Sequence, residues 1–308
     1  MTTIALLSQS FDMAHLVEPI RRAAPQLRVA LHGEPGAAEA EIAACWDPPR
    51  GALAAMPNLR LIHSIAAGVD NILSDPALPA RPLCRVVDPQ HARGMSEFVM
   101  WGVLHFHRQL DLVMRNQREA HWFRPRQSHP SRCTVGVMGL GEIGARVAAD
   151  LRDAGFSVRG WARQPRVLDG IDVFAGEAGL APFLRGTDTL VCLLPLTAQT
   201  RGILNRHTFD QLKPDARLIH VGRGEHLVTD DLMAALDSGR LGGAIVDVFA
   251  AEPLPPGDPI WRAPNLVVTP HMASVASEET IGEQIAQNAL RLLAGHTLSN
   301  VVDLKRGY

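Results

Sequence analysis

Three glycines, Gly139, Gly141 and Gly144, stand in the order G-x-G-x-x-G within TVGVMGLGEIGARVAADLRDAGFSVRGWAR. They directly follow an apolar run, Val135 to Met138, and open a helical pattern, the setting in which this spacing cradles a dinucleotide. Glycine there permits a tight turn, close approach of a pyrophosphate and close helix–sheet packing. The N–H groups that open the helix, at Glu142 and Ile143, face the anion. A glycine-rich turn without a ligand is the competing reading, and the strand–turn–helix–strand context speaks against it.

A site for NAD normally offers an acid about 20 residues further on, to hold the ribose hydroxyls. Here the second strand ends GWARQPR, with no acid between Val158 and Arg166. A carboxylate would repel a 2′-phosphate, whereas Arg163 and Arg166 can pair with one through charge-assisted hydrogen bonds. NADPH is therefore the expected cofactor, with NADH remaining possible; solvated surface charge is the other reading of these arginines.

A third chemical group is Arg223, between two glycines in RLIHVGRGEHL. An apolar run ending in glycine reads as a buried strand entering a turn, where a guanidinium must be solvated, paired or aimed at a ligand. His105 and His107 in HFH invite a metal reading, but residues two apart on a helix point in different directions. No metal site is expected.

The elements that position these groups follow from periodicity. TTIALLSQS reads as a strand and DMAHLVEPIRRAAP as a helix after it; LRLIHSIAAGVDNI repeats the strand-then-glycine pattern, with Gly68 able to bring backbone close to a ligand. From Gly94, GMSEFVMWGVLHFHRQLDLVMRNQREAHW reads as one long helix, apolar on more than one side and so buried by packing or by a second subunit. Further strands are expected in TLVCLLPL, RLIHVGRG, GGAIVDVF and NLVVTP, and a helix in TDDLMAALDSGR with Thr229 as N-cap. Strands alternating with helices predict an α/β chain with doubly wound, Rossmann-like parallel sheets.

Bulk properties narrow the classes. The 308 residues exceed what one core usually supports, so two domains are expected. Charged residues at 20% and hydrophobic residues at 46% are ordinary for globular chains. A formal charge of -2 gives no reason to expect nucleic acid or a membrane surface as partner. The N-terminus lacks a signal-peptide pattern, and no run approaches a bilayer span, so a cytoplasmic location is expected. The four cysteines, at 45, 84, 133 and 192, show no ligand spacing and read as reduced core residues.

The stretches CWDPP, SIAAGVDNIL, GMSEFVMWGVLHFHRQ, VGVMGLGEIGARVA, LLPLTAQTRGILN, VGRGEHLVTDDLMAALDSGRLGGAIVDVFAAEPLPP and TPHMAS together resemble the D-isomer-specific 2-hydroxyacid dehydrogenases, especially the glyoxylate/hydroxypyruvate reductase A branch. The resemblance runs over nearly the whole chain. It implies a catalytic Arg223 after a strand, Glu252 in an EPLP loop and His271 after TPH. Chemistry supports each: a cation to hold a carboxylate and polarise a ketone, an imidazolium to protonate the oxygen, and a carboxylate to favour that imidazolium. Backbone amides at Ala67 and Gly68 are implied to receive the substrate carboxylate, with Trp46 closing over it. Leu194 and Pro195, with Val221 and Gly222, are implied to line the cofactor.

The same resemblance implies a substrate domain over 1–90, completed by a C-terminal helix over 278–308, and a dinucleotide-binding domain over 91–277, with a cleft between them. It also implies a homodimer through the segment around 94–122. The expected reaction is reduction of a small 2-keto acid to a D-2-hydroxy acid by hydride transfer. The alternatives are an NAD-dependent dehydrogenase of a larger D-2-hydroxy acid and a non-catalytic nucleotide-sensing corepressor on the same fold. One departure stands out: the family commonly carries Asn three residues before the arginine, and this chain has His220. Asp247 is expected to orient its neighbours rather than to act directly.

Overall fold

Short apolar runs separated by helices wind a chain into parallel sheets buried on both faces. The computed structural model, which describes residues 1–304, contains two such sheets. Each belongs to its own unit, one formed by Met1–His91 together with the segment that begins at Val275, the other by Ala92–Ser274.

In the first unit the elements run β1 (Thr3–Leu7), α1 (Val17–Ala23), β2 (Arg28–Leu31), β3 (Ile42–Cys45), β4 (Leu61–Ser64), α2 (Asp70–Leu73) and β5 (Leu83–Cys84). The strands pair in parallel in the order β2-β1-β3-β4-β5. Both β3 and β4 are buried on both faces, which explains the unbroken apolar character of β3, while β4 also buries His63 and Ser64.

The second unit begins its elements with α3 (Pro89–His107) and α4 (Leu110–Arg118), then β6 (Thr134–Met138), α5 (Glu142–Asp153), β7 (Ser157–Ala162), β8 (Asp172–Ala175) and α6 (Gly176–Arg185). It continues with β9 (Thr189–Cys192), α7 (Arg206–Gln211), β10 (Ala216–His220), α8 (Thr229–Asp237), β11 (Leu241–Val246) and β12 (Leu266–Val268). The sheet order is β12-β11-β10-β9-β6-β7-β8, all parallel. The chain winds outward from β6 to β8, returns to β9 and winds outward the other way. Its direction therefore switches between β6 and β9, where open sheets of this kind bind ligands at their carboxyl ends.

Three local expectations are corrected. The segment expected as one helix from Gly94 is two: α3 stops at His107, Gln109 adopts a left-handed φ of 55°, and α4 begins at Leu110. Tertiary bonds hold the break, since Gln109 Nε2 donates to the Arg126 carbonyl and Arg108 Nε to Gln127 Oε1. In α3, Met95, Val99, Val103 and Phe106 are buried in the core, whereas α4 has no buried residue. The C-terminal helix α9 covers Glu278–Leu293 only; Gly295, at φ 70°, follows its end, Val301 then bridges to Cys84, and residues 305–308 lie outside the described part. Thr229 is the first residue of α8 rather than its cap. Val228 takes the cap position because its N–H is bonded to the Leu204 carbonyl, next to a bridge between Leu204 and Leu227.

Cys45, Cys84 and Cys192 are buried and Cys133 is half-buried, all as free thiols. Among the described residues no helix is long and apolar enough to cross a membrane.

Candidate active site

The glycine turn after β6 has a separate steric reason at each position. Gly139 sits at φ +96°, and a Cβ on it would lie 2.6 Å from the Leu193 carbonyl oxygen. A Cβ on Gly144 would lie 1.8 Å from the Gly139 carbonyl oxygen, so only glycine lets α5 pack this close to the turn. Gly141, the N-cap of α5, has nothing within 4 Å of an added Cβ. That open side is a cradle into which a pyrophosphate can come against the backbone, with the N–H groups of Glu142 and Ile143 at the positive end of the helix. The turn fits a dinucleotide.

The contacts of Gly139 also place the Leu193–Leu194 peptide, at the end of β9, against this turn. The loop that follows is pinned by Thr200, whose hydroxyl donates to the Pro195 carbonyl and accepts from Thr197 N. Leu194 and Pro195 are thus brought to the cradle. Arg163 and Arg166 follow directly from the end of β7, next to β6 in the sheet, and both are exposed. Asp169, the first acid beyond them, receives a bond from Arg152, 3.3 Å away.

At β10, Val221 and Gly222 are buried and Arg223 is half-buried. Its Nη1 donates to the Gly222 carbonyl at 2.9 Å. The flanking glycines are needed for space: a Cβ on Gly224 would lie 1.9 Å from the Phe249 carbonyl carbon, and one on Gly222 would lie 2.9 Å from His226 Nδ1. His226 carries no signal in the sequence, because its place beside Gly222 is set by the turn between them and a turn has no periodicity to read. His220 is fully buried in β10, beneath the arginine turn.

Beyond β11 and β12 two further groups meet. His271 Nδ1 lies 2.8 Å from Glu252 Oε2, and Glu252 Oε1 accepts the Phe249 N–H at 2.8 Å. Burial pushes the Glu252 carboxyl up, but the bonds from His271 and Phe249 and the charges of His271 and Arg223 outweigh it, holding the group below the usual carboxylate range. His271 itself takes a left-handed φ of 53°, which costs about 1–2 kcal/mol for a residue with a Cβ. Asp247, buried at the end of β11, supports that turn: its carboxylate accepts from Thr269 Oγ1, Met272 N and Ala273 N, while its carbonyl accepts from His271 N. Asp247 therefore orients its neighbours, and the imidazole leaves the sheet edge with its Nδ1 side committed to Glu252.

In the first unit, Trp46 follows β3 and packs against the core beneath α1 and α9, while Ala67 and Gly68 lie in the turn after β4. Ser64 Oγ donates to the Gly68 carbonyl and accepts from Ala66 N, shaping the turn. No described residue accepts a hydrogen bond from the Ala67 or Gly68 N–H. Two adjacent N–H donors suit a carboxylate. His105 packs on Trp101 and Phe106, and His107 on Phe156.

Comparison with known proteins gives a family to this arrangement. A family model described as "D-isomer specific 2-hydroxyacid dehydrogenase, NAD binding domain" matches residues 100–273. A "Glyoxylate/hydroxypyruvate reductase A" of Serratia proteamaculans (strain 568) is 42% identical over 87% of this chain and 88% of its own. A D-isomer specific 2-hydroxyacid dehydrogenase from Xanthobacter autotrophicus Py2, solved in complex with NADPH and MES, aligns with a TM-score of 0.94 at 37% identity, covering 100% of this chain and 99% of its own. An NADPH-dependent glyoxylate/hydroxypyruvate reductase from Sinorhizobium meliloti, solved with NADP and sulfate, aligns with a TM-score of 0.92 at 35% identity over 100% of both chains.

Proposed function

The chain belongs to the D-isomer specific 2-hydroxyacid dehydrogenases, and from that premise we propose that it is an NADPH-preferring reductase of small 2-keto acids, of the glyoxylate and hydroxypyruvate type, forming D-2-hydroxy acids. One observation carries the reading. Arg223 and the hydrogen-bonded pair Glu252–His271 follow the adjacent strands β10, β11 and β12 of the sheet whose β6 ends in the glycine cradle.

The bound nicotinamide cofactor supplies the hydride. Arg223 holds the substrate carboxylate and polarises the ketone. His271, its Nδ1–H directed at Glu252, turns Nε2 toward the oxygen that becomes negative and gives it a proton. Glu252, kept ionised by its partners, fixes the ring's orientation. Glu142 and Ile143 present backbone N–H groups to the pyrophosphate, Leu194, Pro195, Val221 and Gly222 line the cofactor, and Arg163 with Arg166 receives a 2′-phosphate. Ala67, Gly68 and Trp46 remain the substrate-side candidates of the first unit. The free, largely buried thiols suit the reducing cytoplasm. The exposed apolar residues of α3, α4 and the stretch after them support a homodimer formed through that surface.

A panel of 2-keto acids assayed with both cofactors tests the reading. Glyoxylate and hydroxypyruvate are expected among the best substrates, with NADPH favoured at least about tenfold. Arg223→Ala and His271→Ala are each expected to lower kcat/KM by roughly 10²–10⁴-fold. Near wild-type turnover in either variant rejects the assignment.

A further inference from the structure

The two peptide groups that flank the Arg223 Cα are each held by a buried histidine. His220 Nε2 lies 2.9 Å from the Arg223 carbonyl oxygen, and His226 Nδ1 lies 3.0 Å from the Arg223 amide nitrogen. His226 Nε2 in turn lies 3.2 Å from the Pro195 carbonyl oxygen. Both rings are fully buried, and their planes meet edge to face at 5.7 Å between centroids.

Hydrogen-bond chemistry fixes their states. A carbonyl only accepts, so His220 and His226 each carry a proton on Nε2; an amide N–H only donates, so Nδ1 of His226 is bare. His226 is therefore neutral, while Nδ1 of His220 is buried with no hydrogen-bond partner. Burial acts in the same direction, lowering the pKa of His220 to about 3 and that of His226 below its ordinary value.

We propose that His226 and His220 are positioning residues that lock the backbone of Arg223, with His226 tying it to the Pro195 loop beside the glycine turn. This rests on the assignment of Arg223 to the keto acid. Rotation of either peptide group, Gly222–Arg223 or Arg223–Gly224, would break its bond to a histidine, so the guanidinium is offered to substrate from a fixed base. Gly222 leaves the room that His226 needs for this contact. Cys192 Sγ and one nitrogen from each histidine also lie within 4.8 Å of one another, the spacing of a metal site. Against that use, His226 already spends both nitrogens on backbone groups, and a cation would have to displace one.

Side-chain geometry supplies the test. Asparagine at 226 puts an oxygen near the position of Nδ1 and keeps an acceptor for Arg223 N–H, whereas glutamine reaches the position of Nε2 and keeps only the Pro195 contact. His226→Gln is expected to lower kcat/KM for glyoxylate at least about tenfold while the NADPH dissociation constant and Tm stay near wild type. His226→Asn is expected to recover to within about threefold of wild type. The two residues reverse at 220, where His220→Gln retains the bond to the Arg223 carbonyl and His220→Asn loses it; this pair gives the same readout if His226→Gln does not fold. A His226→Gln variant as active as wild type overturns the proposal, as does a His226→Asn variant no better than His226→Gln. A parallel loss of NADPH binding assigns the effect to general packing and also overturns it. So does zinc or copper retained stoichiometrically through chelation and released by His220→Asn. Activity surviving in Arg223→Ala would instead defeat the functional reading beneath it, whereas an inactive Arg223→Ala with unaffected histidine variants defeats the clamp alone.

Discussion

At the scale of single residues, what makes Arg223 available is the absence of side chains on either side of it. Gly224 has a neighbouring backbone where a Cβ would go, and Gly222 has His226. Gly224→Ala therefore requires the β10 turn to move away from Phe249. It is expected to abolish measurable keto acid reduction, and fluorescence titration with NADPH should separate loss of chemistry from loss of the fold. Arg163 and Arg166 carry a different part of the proposal, cofactor choice. Replacing both with Ala is expected to raise KM for NADPH about tenfold or more, the loss of a hydrogen bond to a charged phosphate, with KM for NADH nearly unchanged. A variant that loses both cofactors equally would show that the arginines do not read the phosphate. His271, Glu252 and the arginines were legible as types in recognisable stretches. His226 and the clamp it forms were not, because the turn between it and His220 decides what the rings touch.

At the scale of elements, the strand–turn–helix around Gly139 was readable because its determinants are local: a strand, three glycines and a helix within one short stretch. The break at Gln109 was not, because the bonds that hold it come from Arg126 and Gln127, well beyond the helix. Strand β4 carries another hidden determinant. His63 is fully buried, its Nδ1–H bonded to the Ser64 carbonyl and its Nε2 accepting from Asn288 of α9. Burial lowers its pKa to about 4, from an ordinary 6.5. The folded state thus disfavours the proton that the unfolded chain accepts. The stability tied to neutral His63 is complete above pH 6.5 and is lost as pH falls through about 4. His220 adds a loss of the same sign, extending to about pH 3. Urea unfolding between pH 7 and 4 is expected to show stability falling with pH, and His63→Gln should flatten part of that slope; an unchanged slope would remove His63 from the account.

At the scale of the whole molecule, the surface around α4 is unusually apolar. Trp101, Leu104, Leu110, Val113 and Met114 are each more than a third exposed, and Trp122 is 97% exposed. Apolar exposure of this kind supports the proposed homodimer, since a two-fold dimer is the commonest association of such surfaces. The paired variant Val113→Asp/Met114→Asp is expected to shift sedimentation from dimer to monomer without lowering Tm by more than a few degrees. Wild-type protein that sediments as a monomer would refute the dimer directly.

The sequence by itself determined the parallel α/β class and the dinucleotide turn, and it singled out Arg223, Glu252 and His271 as candidates and the lack of an acid between Val158 and Arg166, since each is written in local pattern or in an extended motif. Only the tertiary structure decided that Asp247 carries the left-handed turn of His271, that His220 and His226 hold the two peptide groups flanking Arg223, and that the helix after Gly94 stops at His107. Those outcomes depend on hydrogen-bond partners and steric room contributed by distant or turn-separated segments, and sequence periodicity carries no record of such partners until the chain has folded.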